Sequence, residues 1–355
     1  KVSVLDAGAG SGILSCAFIE RLETIDSIQE IELTCYENDE NVLPLLKRNL
    51  EYCKEETRKK LTVNIVEDNY ILSQYLDFNH MLGGNAEPKK YDFVIGNPPY
   101  IRLGKLSAEE REKALLLVSS YGLNMQTSGS LWMPFIIHST ELLEQDGRLG
   151  FVLPYEITYA FDLWKYLASN YGKITICRIY HDFFPDVDVE TVVLLAEKKG
   201  AKTDTVSYEV FNTVTDLYRD NACLRSEILI EDIIFLGKPF ERELMSGSVA
   251  SFLDSLREKG KLSAFVDDCK FKIGYVTGNK SYFHLSREDI GQYNIRSENI
   301  RKCLINAKQI TANGDIGVET GRISEYGYLF YPVAPGEGEK RYISYGKALG
   351  VDKGY

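Results

Sequence analysis

Short apolar runs alternate with segments of helical periodicity along the first half of the chain. Runs of strand length occupy residues 2–5, 31–36, 61–66 and 93–95. Between them, apolar residues recur three or four positions apart, as in Leu43, Leu46 and Leu50. This alternation predicts parallel strands joined by helices, because each strand needs a crossover that packs one apolar face on the sheet. The pattern therefore indicates an α/β fold.

The pattern changes around residues 198–204, where the chain turns polar. We place a domain boundary there. We predict a first domain over residues 1–200, a connecting helical segment over 201–262 and a second domain over 263–355. The chain opens on a strand without an initiator Met and ends in a turn-rich stretch. We therefore expect residues to precede this sequence and the second domain to be incomplete.

Composition is that of a soluble globular protein, with 44% hydrophobic and 26% charged residues among 355. No apolar run reaches the ~18 residues of a membrane span, so we expect no membrane association. The seven cysteines are scattered without a C-x-x-C pair, and the four histidines lie far apart. This distribution favours reduced thiols and a cytoplasmic location, and it argues against a structural zinc site.

Charge is unevenly distributed. The net charge of −11 disfavours a polyanionic partner, yet residues 269–313 carry eight Lys and Arg against three acidic residues. Tyrosines and phenylalanines alternate with the basic side chains in this segment. It is either an ordinary solvated face or a basic surface for nucleic acid.

A carboxylate and a glycine turn follow the first strand. The strand ends at Asp6, and Gly8, Gly10 and Gly12 lead into a helix. Glycines let the backbone approach a ligand closely. A carboxylate at this position would repel a pyrophosphate, so Asp6 favours a ligand that carries a cationic or amino group.

Acidic residues also follow the next two strands. Glu37 stands at the tip of the second strand, where folds of this type bind a ribose diol, and otherwise it is a solvated strand-end acid. Asp68 follows the third strand. It is a candidate contact to a purine amino group or, equally, a helix cap.

The loop Asn97-Pro98-Pro99-Tyr100 follows the fourth strand. Its prolines fix the backbone and remove two N–H donors, so the Asn97 side-chain oxygen and the Pro98 carbonyl are available as acceptors. A planar substrate could place an amino group between these oxygens and stack on Tyr100. The plainer interpretation is a Pro-Pro turn that ends a strand.

These motifs together resemble those of the N6-adenine DNA methyltransferases of bacterial restriction-modification systems, in the gamma-group order of large Type II members. The resemblance implies a Rossmann-like fold, with a seven-stranded mixed sheet and helices on both faces, and a C-terminal DNA target-recognition region at 263–355. It implies S-adenosylmethionine as cofactor. The implied cofactor-binding residues are Asp6, Gly8, Gly10, Gly12, Glu37, Asp68 and Asn97. The family's motif that precedes Asp6 is absent from this sequence.

The resemblance also implies double-stranded DNA as partner and a target adenine flipped out of the helix. Asn97, Pro98 and Tyr100 would act on the adenine, and Phe184, directly before Pro185, would supply a second ring. Phe184 is alternatively an ordinary packing residue. The implied DNA contacts are Lys272, Lys280, Arg287 and Arg301. A restriction endonuclease domain or subunit outside this chain is a further partner of such systems.

Other classes of protein remain open at this stage. Glutamine methyltransferases that act on release factors share the Asn-Pro-Pro-Tyr loop, because a side-chain amide is also a planar amino donor. They would not need the Phe-Pro segment or the basic and aromatic residues after Lys199. A catalytically silent DNA-binding specificity module is the third possibility, which the set Asp6, Glu37, Asp68 and Asn97 disfavours.

Overall fold

Two β-sheets organise the chain in the computed structural model, which describes residues 1–72, 89–180, 190–200, 202–236, 240–261, 277–305 and 327–351. The sheets belong to two compact units, Lys1–Leu256 and Arg257–Tyr355. None of the helices in these ranges is long and apolar enough to cross a membrane.

The larger sheet contains the nine strands described for the first unit. They are β1 Val2–Ala7, β2 Glu30–Tyr36, β3 Lys60–Val66, β4 Tyr91–Gly96, β5 Leu143–Pro154, β6 Lys173–Ile179, β7 Thr191–Glu197, β8 Thr205–Phe211 and β9 Leu224–Leu229. Their order is β3-β2-β1-β4-β5-β7-β6-β8-β9. Strands β1 to β5 are parallel, whereas β7 is antiparallel to both of its neighbours.

Helices cover both faces of this sheet, as the family resemblance implies. The helices described between residues 13 and 258 are α1 Ile13–Glu23, α2 Leu43–Glu56, α3 Ala108–Ser120, α4 Trp132–Glu141, α5 Phe161–Asn170, α6 Val214–Tyr218, α7 Ile230–Leu236 and α8 Gly247–Glu258. Successive strand residues point to opposite faces. Val4 and Ile95 therefore pack with the buried side chains of α1 and α2, while Leu5 and Val94 pack with those of α3, α4 and α5.

The sheet is wider than the seven strands that the family resemblance implies. Strands β8 and β9 extend it beyond β6, and they lie in residues 201–262, where we predicted a connecting helical segment. That prediction was wrong for these residues. Val206, Tyr208 and Val210 are fully buried and alternate with less buried neighbours, so the strand period of two is present in the sequence.

Among its described residues, the second unit contains three helices and a three-stranded sheet of order β10-β12-β11. Its elements are α9 Lys280–Phe283, β10 His284–Leu285, α10 Arg287–Tyr293, β11 Ile300–Cys303, β12 Gly327–Phe330 and α11 Glu337–Ala348. Tyr282 and Tyr342 stack with ring centroids 4.8 Å apart. Each hydroxyl donates to the other residue's carbonyl, at 3.2 and 2.7 Å, so the pair joins α9 to α11.

A buried carboxylate anchors the loop before α11. Glu339 is 1% exposed and accepts hydrogen bonds from the Arg296 and Gly336 backbone N–H groups, both at 2.8 Å, and from the Asn299 amide at 2.9 Å. Burial alone would raise the pKa of Glu339, but these hydrogen bonds outweigh it and lower the pKa to about 2. The ionised carboxylate therefore ties α11 to residues 296–299.

We expect Glu339→Gln to lower the free energy of unfolding of the second unit by about 2–3 kcal/mol, because an amide N–H₂ would face N–H donors. Since the pKa of Glu339 is depressed, its contribution is present above about pH 4.5 and is lost as the pH falls towards 2. Hydrogen exchange of peptides from residues 327–351 in the full chain measures the effect. Glu337→Gln, at a 92% exposed side chain, is the matched control. Equal protection in both variants would contradict this role.

Candidate cofactor and base-binding site

The strand register brings the predicted site residues to one edge of the large sheet. Asp6 pairs with Cys35 of β2 and with Ile95 of β4. Glu37 therefore follows two residues beyond one partner of Asp6, and Asn97 two residues beyond the other. The chain leaves β1 for β2 on one side and returns to β4 on the other, so this edge is the topological switch point at which α/β sheets bind ligands.

The glycine turn between β1 and α1 has a backbone conformation with positive φ angles, which glycine adopts readily. Gly8, Gly10 and Gly12 have φ values of 93°, 54° and 81°, which side chains rarely tolerate. At Gly12 an added Cβ would also lie 2.8 Å from Leu46 Cδ1. The Asn49 amide donates to the Ser11 carbonyl at 2.8 Å and so ties the turn to α2. The turn is therefore open towards a ligand and fixed from behind.

Asp6 is fully buried at the end of β1. Its Oδ2 accepts a hydrogen bond from Ser15 Oγ at 2.6 Å, whereas its Oδ1 is buried without a hydrogen-bond partner among the described residues. Burial raises the pKa of Asp6 to about 7; the Ser15 hydrogen bond opposes the rise, and the Glu37 charge adds to it. A buried carboxylate oxygen without a donor is suited to an ammonium group, which would satisfy it and restore its charge.

Glu37 is half-buried and braces the turn directly. Its Oε2 accepts from the Gly10 backbone N–H at 2.8 Å, and its Oε1 accepts from the Asn38 and Asp39 N–H groups at 2.9 and 2.8 Å. Oε1 already accepts two hydrogen bonds, whereas Oε2 accepts one and can accept another, so this geometry leaves room for a hydroxyl donor at Oε2. The contacts to the turn were not predicted from the sequence.

Asp68 is exposed at the same edge, two residues beyond the end of β3, and accepts from the Asn69 N–H at 2.7 Å. The helix cap that follows β3 is Asn69, not Asp68. Asn69 Oδ1 accepts from the Ile71 and Leu72 N–H groups at 3.0 and 3.3 Å. The carboxylate of Asp68 therefore faces solvent.

The Asn97-Pro98-Pro99-Tyr100 loop continues β4. Asn97 is exposed, Pro98 is buried, and Tyr100 is half-buried with its hydroxyl enclosed, which raises the pKa of Tyr100. A Cβ at Gly96 would lie 3.0 Å from the Phe151 ring and 3.2 Å from the Ala7 carbonyl. The glycine thus lets β4 approach β1 and β5 closely just before the exposed amide.

Other predicted site residues lie elsewhere. Phe184 and Lys272 fall outside the described residues. Lys280, Arg287 and Arg301 are exposed on the second unit, where Lys280 begins α9 and Arg287 begins α10. The Arg301 guanidinium carbon lies 5.2 Å from the ring centroid of Tyr331, a residue that the sequence analysis missed. The sequence feature that could have indicated Tyr331 is an aromatic residue directly after a short strand.

The sequence analysis also missed Ser15, the hydroxyl partner of Asp6. A serine on the apolar face of a helix that follows a glycine turn was the available signal, since a buried hydroxyl needs a polar partner.

The strand order β3-β2-β1-β4-β5-β7-β6 is that of a class I S-adenosylmethionine-dependent methyltransferase, and S-adenosylmethionine is the cofactor of this class. The Asp6 oxygen without a donor and the glycine turn fit such a ligand. The profile of the Eco57I restriction-modification methylase family matches residues 23–184, and that of the C-terminal domain of Type II methyltransferase M.Eco57I matches residues 238–355. The chain belongs to this family of restriction-modification methyltransferases.

Curated relatives are similar in sequence to parts of the chain, and a solved structure shares its fold. Type II methyltransferase M.PstI of Providencia stuartii is 32% identical over 42% of this chain and 28% of its own length. A tRNA1(Val) (adenine(37)-N6)-methyltransferase of Haemophilus influenzae is 29% identical over 43% of this chain and 54% of its own length. The type IIG restriction endonuclease BpuSI shares the fold, with a TM-score of 0.51 and 15% identity over 99% of this chain and 42% of that one. The chain thus spans about half or less of each.

Proposed function

We propose that the chain transfers a methyl group from S-adenosylmethionine to the N6 amino group of an adenine in duplex DNA. One observation supports the proposal: β1 and β4 pair the buried Asp6 with Ile95, and the exposed Asn97 follows Ile95 by two residues at the same edge, the switch point of the sheet. An acceptor for a nucleobase amine and a carboxylate for the cofactor's ammonium group therefore share one edge.

The two oxygens of the Asn-Pro-Pro-Tyr loop activate the amine. An adenine amino group is a poor nucleophile because its lone pair is delocalised into the ring. The Asn97 side-chain oxygen and the Pro98 carbonyl accept its hydrogens and favour a pyramidal nitrogen. When bound, S-adenosylmethionine supplies an electrophilic methyl carbon. The protein contributes orientation, because the nitrogen must approach that carbon in line with the carbon–sulfur bond.

In this proposal Asp6, Glu37 and Asp68 each bind a different part of the cofactor. Asp6 and the turn at Gly8, Gly10 and Gly12 bind the methionine end, Glu37 binds the ribose diol, and Asp68 binds the adenine amino group. The burial of Asp6 and the exposure of Asp68 support this order, because the ammonium group needs an enclosed counter-charge.

The target adenine must leave the double helix to reach Asn97, at a cost of about a few kcal/mol. The flipped adenine stacks on Tyr100 on one face, and we propose Phe184 as the ring on the other face. The enclosed Tyr100 hydroxyl supports a stacking role, because the ring is held from behind while its side chain stays partly exposed.

The second unit favours DNA over the release-factor alternative. Residues 238–355 match a C-terminal domain of a Type II methyltransferase, which a glutamine methyltransferase would not need. The tRNA methyltransferase similarity covers 43% of this chain, less than the two restriction-modification profiles cover together. The exposed Lys280, Arg287 and Arg301 support the assignment of this unit to target recognition.

The experiment is transfer of labelled methyl to three substrates: mixed-sequence duplex DNA, total tRNA and a release factor. We expect label in DNA, recovered as N6-methyladenine after digestion to nucleosides. Label in tRNA alone or in the release factor alone would overturn the proposed substrate. The same assay on duplex with 2-aminopurine at the methylated position tests flipping, because an extruded 2-aminopurine brightens.

We expect Arg301→Ala to weaken DNA binding and to reduce the slope of log affinity against log salt by about 1, as for the loss of one phosphate contact. Arg301 is exposed and stacked on Tyr331, so its guanidinium is preorganised. Titrations at several salt concentrations measure the slope. The exposed Arg58→Ala in α2–β3 is the control, and an equal slope change in both variants would contradict an Arg301 contact.

A further inference from the structure

Ser15 is a buried hydroxyl that the proposed mechanism does not use. It lies in the first turn of α1, is fully buried, and donates to Asp6 Oδ2 at 2.6 Å. The remaining contact of its Oγ is with Cys35 Sγ of β2, at 3.4 Å. Helix α1 begins directly after the glycine turn, so the hydrogen bond joins the two elements that flank the turn.

We propose that Ser15 is a positioning residue for the cofactor: it holds one oxygen of Asp6 and thereby leaves the other oxygen free for the cofactor's ammonium group. The inference rests on the proposed cofactor role of Asp6. A carboxylate has two oxygens and can rotate about its last bond. The short Ser15 contact selects one orientation, which leaves Oδ1 enclosed and without a donor among the described residues.

Among the described side chains around Asp6, Ser15 is the hydrogen-bond donor that favours the ionised form of Asp6. Cys16 lies on α1 beside Ser15, Cys35 on β2 and Glu37 beyond β2, and the residue paired with Asp6 on β4 is the apolar Ile95. Burial raises the pKa of Asp6, the Ser15 hydrogen bond lowers it, and Glu37 raises it further. Without the hydroxyl, Asp6 would stay protonated to a higher pH and would attract an ammonium group less at neutral pH.

The test compares Ser15→Ala with the unmodified chain in binding of S-adenosylhomocysteine, which carries the amino acid, and methylthioadenosine, which lacks it. Calorimetric titrations run from pH 6 to 9. We expect Ser15→Ala to bind S-adenosylhomocysteine about tenfold more weakly at pH 7, with the gap closing towards pH 9, and to bind methylthioadenosine unchanged. At saturating S-adenosylmethionine, kcat should stay within about twofold while the cofactor KM rises.

Ser139→Ala is the matched control, because Ser139 is also fully buried on a helix and its hydroxyl contacts Tyr70 at 2.9 Å. Ser15→Cys, a weak donor of similar size, should fall between wild type and Ser15→Ala. Equal loss for both ligands at every pH, or in both serine variants, would show that Ser15 only supports the fold. If Ser15→Ala does not fold, the Ser15→Cys profile decides between these outcomes. Failure of the unmodified chain to bind S-adenosylhomocysteine would instead overturn the proposed function.

Discussion

Asn97→Ala is expected to lower the rate of methyl transfer at saturating substrates by about 10²- to 10³-fold or more, and to leave cofactor affinity within a few-fold. The substitution removes one of the two oxygens that would hold the amine. Because Asn97 is exposed beyond the end of β4, the fold should not change, and the loss should appear in kcat. Single-turnover transfer and calorimetric cofactor binding measure the two quantities.

Asn124→Ala is the control, since Asn124 is likewise exposed in the first unit and lies outside the proposed machinery. A parallel loss of cofactor affinity in Asn97→Ala would assign Asn97 to cofactor binding instead. Full activity in this variant would remove the Asn-Pro-Pro-Tyr loop from the mechanism. Asn97→Asp tests the same site, because the carboxylate keeps an acceptor oxygen at this position but replaces the amide N–H₂ donor by a second acceptor.

At pH 8, Asp6→Asn is expected to raise the free energy of unfolding of the cofactor-free chain and to lower its affinity for the cofactor. The pKa of Asp6 is raised from 3.8 to about 7, mainly by burial, so the folded chain binds this proton more tightly than the unfolded chain does. Stability therefore falls as the pH rises through this window and stays lower above pH 7. The neutral amide avoids that penalty, so the variant without cofactor should be more stable at pH 8, by on the order of a few kcal/mol.

The same substitution should weaken S-adenosylmethionine binding at pH 8 by tenfold or more, because the ammonium group loses its buried counter-charge. Thermal unfolding with and without cofactor at pH 5 and pH 8 separates the two effects. At pH 5 Asp6 is protonated in the folded chain but largely ionised in the unfolded chain, so the stability difference should be less than half of that at pH 8 and should vanish only below about pH 3.8. The exposed Asp26→Asn controls for loss of a carboxylate. Lower stability at pH 8 together with unchanged cofactor affinity would show that Asp6 has a purely structural role.

The local pattern of the chain contains enough information to place the first four strands and the polar residues that end them. Burial on each side of β1 follows the alternation of Val4 and Leu5, and the turn follows from glycines whose positive φ values other residues resist. These features depend on neighbours in sequence, so they were predictable.

The prediction from local sequence was incomplete for residues 201–262. The segment contains helices and two strands, of which β8 has a clear period of two, and we predicted only the helices. Strand β8 joins the sheet because Tyr208 packs against Phe240, with ring centroids 5.2 Å apart, and Phe240 packs against Trp164 of α5. Those partners lie 32 or more positions away in the chain, so the burial that stabilises this strand is not visible in a short window.

By itself the sequence determined which residues end the strands, where the glycine turn lies and which class of chemistry the motifs support. Only the tertiary structure decided that Asp6 is enclosed with one oxygen free, that Ser15 holds the other, that Glu37 braces the turn and that Asn69 rather than Asp68 caps a helix. The physical reason is that burial, pKa and hydrogen-bond partners depend on atoms brought together from separate elements, whereas strand ends and turns depend on local backbone preference.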